Sequence, residues 1–155
     1  MFELVRAVTF TSTNARARAA VSADIPFLAD NFPGMPLLPG SLLIELCAQV
    51  VGALAERTVR ERHGRDRLAF LATVRNASFP APVGLPAQLD ITADLKGVLE
   101  TSVTADVTAS CAGTLVCRAS IVTAMQAPQP GWTAAIEAAR ARVAAWQARG
   151  AAELG

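Results

Sequence analysis

The sequence predicts an α+β protein in which an antiparallel sheet wraps around one long central helix, with a second helix added at the C-terminus. Three observations predict it. An almost wholly apolar run from Leu42 to Ala55 follows a loop with three prolines and two glycines, and it has the length of a helix rather than a strand. From Leu68 onward the hydrophobic period changes from helical to two. The order is then strand, strand, helix and four strands, and the short turn-rich gaps after the helix suit a meander.

Phe2 to Phe10 is rich in β-branched and aromatic residues, and Thr11-Ser12-Thr13-Asn14 is a polar turn cluster. Ala15 to Val21 alternates arginine with alanine, so the first two strands read as a hairpin. Each proline of the following loop presets φ and biases its predecessor away from helix, so the central helix is expected to begin only after Pro39-Gly40. A helix apolar on all sides is expected to be buried all round. It is expected to end near Glu56-Arg57 and pass into a polar loop, Arg57–Arg67, that holds five arginines and His63.

Leu68 to Phe79 is the next strand, and Pro80 to Pro86 a stiff connector. Leu89, Ile91, Ala93 and Leu95 face one way along the following strand, with a turn expected at Lys96-Gly97. Leu99, Thr101, Val103, Ala105 and Val107 share a face of the next, Ala112-Gly113 forms a turn, and Thr114 to Ala124 is the last strand. Gln126 to Gly131 is a linker. Trp132 to Arg149 is an amphipathic helix with Ile136, Ala139, Val143 and Trp146 as its apolar stripe. Residues 1–125 are read as one domain and 126–155 as linker and added helix.

A chain of 155 residues, 52% hydrophobic and 17% charged, has material for a real core and predicts apolar surface buried against a second subunit. A net charge of +1 and the absence of Tyr offer nothing for nucleic-acid binding. Cys47, Cys111 and Cys117 form neither a metal spacing nor an even disulfide set, and read as small core residues of a cytoplasmic protein. Glu3 and Arg6 interrupt any signal peptide, and Glu45 divides the longest apolar run, so no membrane span is expected. No cofactor or metal motif is present, and none is predicted.

Glu45 is the most informative residue, because an acid within an apolar helix is costly unless paired or hydrogen-bonded, and such acids concentrate in active sites. Gln49 lies four residues on, where its amide can hold the acid. A first-turn position would also set Glu45 near the positive end of the helix dipole, beside the free N–H groups of Gly40 and Ser41. Those amides could polarise a carbonyl oxygen. The competing reading is a Glu that simply reaches solvent or a subunit interface.

The run from Asn31 to Gln49 resembles the signature of the hotdog-fold β-hydroxyacyl-acyl-carrier-protein dehydratases: His-Phe-Pro-Gly-x-Pro-x-x-Pro-Gly, four residues, Glu, then Ala-x-Ala-Gln or similar. Phe32, Pro33, Gly34, Pro36, Pro39, Gly40, Glu45, Ala48 and Gln49 match in register, and Asn31 stands where the family has its histidine. Phe79 through Leu89 resembles a second family segment, with Ala81 and Ala87 in place of its arginine and aspartate. The resemblance covers residues 2–124 and implies a hotdog fold. It implies catalytic positions at Glu45 and Asn31, and a substrate site that includes Phe32, Gly34, Gly40, Ser41 and Gln49.

In the family the histidine removes the α-proton, the helix acid protonates the departing hydroxyl, and each site takes the two groups from different subunits. Asn31 cannot take up a proton near neutral pH. The resemblance therefore implies a dehydratase-family subunit for β-hydroxyacyl thioesters on acyl carrier protein, in fatty-acid or polyketide biosynthesis. It would be a homodimer or, to gain a base, a heterodimer with a His-bearing homologue. The Arg57–Arg67 segment is then either a carrier-protein docking patch or an ordinary solvated helix end. Two alternatives stay open: a hotdog acyl thioesterase using Glu45 with Asn31, and a non-catalytic acyl-binding or scaffold subunit.

Overall fold

The computed structural model describes residues 4–155, so Phe2 and Glu3 of the first expected strand lie outside the described residues. The elements are β1 (Val5–Phe10), β2 (Asn14–Val21), a 3-10 turn (Pro26–Leu28), α1 (Gly40–His63), β3 (Leu68–Ser78), β4 (Ala87–Val98), β5 (Ser102–Cys111), β6 (Thr114–Gln126) and α2 (Thr133–Glu153). The six strands form one antiparallel sheet in the order β1-β2-β4-β5-β6-β3. This is the hotdog architecture. β3 follows α1 directly but pairs with β6 at the far edge, so the chain passes through the curl of the sheet as a helix before closing it.

Alternation decides which face meets that helix. Ala15, Ala17 and Ala19 on β2, Leu89, Ile91 and Ala93 on β4, and Ala105 and Val107 on β5 are all buried, and they join Leu46, Val50 and Leu54 of α1 in one cluster. Their outward neighbours are polar and pair across strands, as Arg18 does with Asp90 at 3.2 Å and Asn14 with Asp94 at 2.6 Å.

Several sequence expectations are corrected. α1 begins at Gly40, with Pro39 as its extended N-cap, and does not stop at Arg57 but runs on to His63. Arginine and glutamate are good helix formers, Arg57 and Glu61 pair at 3.1 Å one turn apart, and Gly64 at φ 64° supplies the left-handed cap. His63 is therefore a helix-terminal residue, not a loop residue. The Lys96-Gly97 turn is instead a register shift between Leu95 and Gly97 within the β4–β5 ladder; the reversal comes at Leu99–Thr101, where Leu99 and Ser102 exchange backbone hydrogen bonds. Leu99 consequently sits at an exposed tip rather than on the core face. α1 is not buried all round, because the sheet encloses only one side of it: Leu43, Leu46, Cys47, Val50 and Leu54 are inside, whereas Glu45 is exposed.

The added helix α2 runs to Glu153, and its stripe points inward as the spacing implies, ending in buried Trp146 and Gly150. It packs on β1, the sheet edge opposite β3. At its start Trp132 lies 5.9 Å from Phe70 of β3, ring to ring, and Arg140 pairs with Asp66. At its end Arg149 donates to the Arg6 carbonyl, and a Cβ on Gly150 would stand 2.1 Å from the Val8 oxygen. α2 thus straps the open side of the curl from one sheet edge to the other. Gly150→Val is expected to unseat it and to destabilise the protein by about 3 kcal/mol, on the scale of severe overpacking, measured as a lower midpoint in urea unfolding.

Candidate active site

The loop before α1 is held by Asn31. Its carbonyl accepts the Leu37 N–H at 3.0 Å, and its side-chain amide donates to the Leu37 carbonyl at 2.8 Å, so residues 31 and 37 close on each other twice. Within the closed loop Phe32 has φ 56° and Gly34 φ 79°, conformations that bring the Phe32 carbonyl 3.0 Å from the Met35 N–H. Glycine takes this geometry freely; Phe32 bears a strain of about 1–2 kcal/mol. Its ring is left exposed, as is Met35. Beyond the loop, Leu38 donates to the Val83 carbonyl and Leu85 to that of Pro36, tying the segment to the connector after β3.

Pro39 accepts the N–H groups of Leu42 and Leu43, and no side chain caps α1. The amides of Gly40 and Ser41 thus lie at the head of the helix, the arrangement that suits a partly negative oxygen. A Cβ on Gly40 would crowd the Phe79 ring at 3.1 Å, and the ring would have to give way by a few tenths of an ångström. The helix start also corrects the position of Glu45, which stands in the second turn and not the first. The dipole acts mainly within the first turn, so it contributes little to this acid.

The expected partnership of Glu45 is present, with Gln49 Nε2 donating to its Oε1 at 3.0 Å. The structure does not bond Glu45 to Asn31, whose amide is engaged by Leu37. His63 lies eighteen residues further along the same helix, about 27 Å from Glu45 by the helical rise. Of the expected substrate-site residues, Phe32, Gly34, Gly40 and Ser41 belong to the loop and helix head, and Gln49 to the open side of α1. No group of residues among those described could hold a metal ion, and no helix among them is long and apolar enough to cross a membrane.

The side of α1 that the sheet leaves open faces a cleft of about 240 Å³ between α1, β3 and α2. Its floor is the row Glu45, Gln49, Gly52 and Glu56, spaced at helical intervals, and its walls include Phe70, Leu71, Arg142 and Trp146. Sequence reasoning missed this cleft, taking Glu56 for a helix end and Trp146 for packing. The floor was legible as a stripe of one helix face; the walls come from elements far away in the chain.

Glu56 is partly buried and accepts the Ala69 N–H at 2.9 Å. Burial pushes its carboxyl above the ordinary carboxylate value, opposed by that hydrogen bond and by Arg60, Arg142 and Arg140. A carboxyl raised on folding stabilises the fold below its unfolded pKa, and that contribution disappears as pH rises through the folded value. Glu56→Gln, which keeps an acceptor for Ala69, is therefore expected to reduce the loss of stability between the ordinary carboxylate range and neutrality, read from urea midpoints across pH.

The basic segment after the site is largely neutralised. Arg60 lies 3.7 Å from Asp66, Arg67 reaches Glu100 at 2.8 Å and Arg65 reaches it at 3.7 Å. These exposed and half-buried pairs hold a helix end and a turn more than they project a positive field.

A single helix enclosed by a curled antiparallel sheet, with an acid on the helix's open side beside a Pro/Gly loop, is a hotdog domain of the dehydratase type. Residues 1–120 match the FabA-like domain. The chain is 33% identical over 126 residues to the 3-hydroxyacyl-[acyl-carrier-protein] dehydratase FabZ of Bacillus velezensis, covering 80% of this chain and 87% of that one. It is 35% identical over 79 residues to FabZ of Alkalilimnicola ehrlichii, covering 51% of each. The match spans about half the length of several such curated relatives. Among solved structures, the dehydratase heterocomplex ApeI:P from Xenorhabdus doucetiae aligns with a TM-score of 0.67 at 25% identity, over 82% of this chain and 84% of that one. The chain belongs to the FabA-like domain family of hotdog dehydratases.

Proposed function

We propose that this chain is the acid-bearing subunit of a heterodimeric dehydratase acting on β-hydroxyacyl thioesters of acyl carrier protein, in fatty-acid or polyketide biosynthesis. The observation that carries this reading is an oriented acid with no base in reach: Glu45 is exposed and held by Gln49, Asn31 is bonded to Leu37, and the one histidine is about 27 Å away along α1. A base from a second chain completes an acid–base pair. The likeness to a dehydratase heterocomplex supports a partner of the same fold.

In this mechanism the partner's histidine removes the α-proton of the substrate. The electron pair forms the α,β double bond, the β-hydroxyl leaves, and Glu45 gives it the proton that makes it water. Gln49 keeps the acid turned to the open side of α1. The amides of Gly40 and Ser41 bind the thioester oxygen as negative charge builds on it. The partner covers β3, an edge strand whose Phe70 and Leu71 are each nearly half exposed, together with Phe32 of the loop.

Alone, the chain is expected to leave a 3-hydroxyacyl carrier-protein thioester unchanged by mass spectrometry. Mixed with a His-bearing homologue whose own helix acid has been replaced, it is expected to restore dehydration, and Glu45→Gln is expected to lower the restored rate by about 10²-fold or more. Restored activity that ignores Glu45→Gln sinks the assignment, as does failure of any His-bearing homologue to bind. In the chain alone, Asn31→His is expected to raise dehydration above the wild-type level by placing a base opposite Glu45.

A further inference from the structure

Helix α2 lies beyond the matched domain, yet it forms one side of the cleft that begins at Glu45. We propose that α2 is the specificity wall of the acyl channel: the substrate's aliphatic tail runs from Glu45 along α1 beneath α2, and Val143 and Trp146 set the tail length accepted. The proposal rests on the reading of Glu45 as the catalytic acid.

The chemistry of the cleft is graded along its length. Glu45 and Gln49 stand at one end, where the reacting β-carbon must be. The middle is apolar, with Phe70 and Leu71 on one side and Val143 and Trp146 on the other, over a floor in which Gly52 leaves space. At the far end stand Glu56 and Arg142. Eleven residues separate Glu45 from Glu56, so the floor extends about 16 Å. A carboxyl at the mouth, an aliphatic passage and a charged end suit an unbranched acyl tail of limited length, since each methylene gains by burial until the next meets charge.

The wall is also rigid. Trp146 is only 2% exposed and stacks under the Arg142 guanidinium at 5.2 Å. The close seat of Gly150 on Val8 and the pairing of Arg140 with Asp66 fix α2 at both ends. A tail in the cleft would lie against Phe70 and Leu71, which line it and are each nearly half exposed.

The protein has two tryptophans, so Trp132→Phe leaves Trp146 as its sole indole reporter. The full chain carrying that change would be titrated with saturated acyl-pantetheine thioesters from butanoyl to dodecanoyl. Trp146 emission is expected to change on binding, with affinity rising up to about fourfold per methylene and then falling once the tail reaches Glu56. Gly52→Leu is the decisive variant: a Cβ there makes only an ordinary 3.6 Å contact with Ala69, so the fold accommodates it while the side chain fills the floor. It is expected to abolish binding of long tails and spare short ones, and Val143→Ala is expected to move the optimum to longer tails. An unchanged Trp146 signal with every probe, in a protein that still dehydrates with its partner, overturns the wall and leaves the dehydratase reading standing. Length-dependent binding without turnover in any pairing sustains the channel and removes the dehydratase reading.

Discussion

The burial of one side of α1 in the concave face of the sheet is the constraint on which the rest depends. Leu43, Leu46, Val50 and Leu54 are buried together with side chains from β2, β4 and β5, each contributing about 1.5–3 kcal/mol relative to exposure. The alanines of β2 leave room for the helix to approach. With that side committed to the core, the other side is free to carry polar groups, and Glu45, Gln49 and Glu56 occupy it. The fold thus holds an acid on a rigid element, with a hydrogen bond to orient it, at no cost to the core.

The loop that precedes α1 answers to the same helix. Its prolines and glycines deliver the chain to the helix head with the Gly40 and Ser41 amides leading, and the double closure between Asn31 and Leu37 sets its course. A histidine in place of Asn31 would offer a base; asparagine offers a short amide that fits a neighbouring carbonyl and cannot take a proton near neutrality. Asparagine thus keeps the loop closed. On the proposed dehydratase reading, the base that Glu45 lacks comes from a second subunit.

Much of this was legible in the chain. Period-two alternation placed β4, β5 and β6 because one face of each strand is buried and the other wet, and the i to i+4 spacing of Glu45 and Gln49 foretold their hydrogen bond. The misplaced elements have local causes that periodicity does not register. Gly97 continues β4 through a register shift instead of ending it, and the arginines after Ala55 extend α1 because charged residues are good helix formers where they can reach solvent.

By itself the sequence determined the strands, the helix, its acid and the loop before it, since these follow from propensity, alternation and short-range spacing. Only the tertiary structure decided which side of α1 stays open, that Asn31 clamps Leu37, and that Trp146 and Phe70 close over one cleft. Those facts depend on contacts between residues far apart in the chain, set by how the sheet curls and where α2 comes to rest on β1. No local pattern encodes them, because each requires two surfaces whose distance is fixed only when the core has closed.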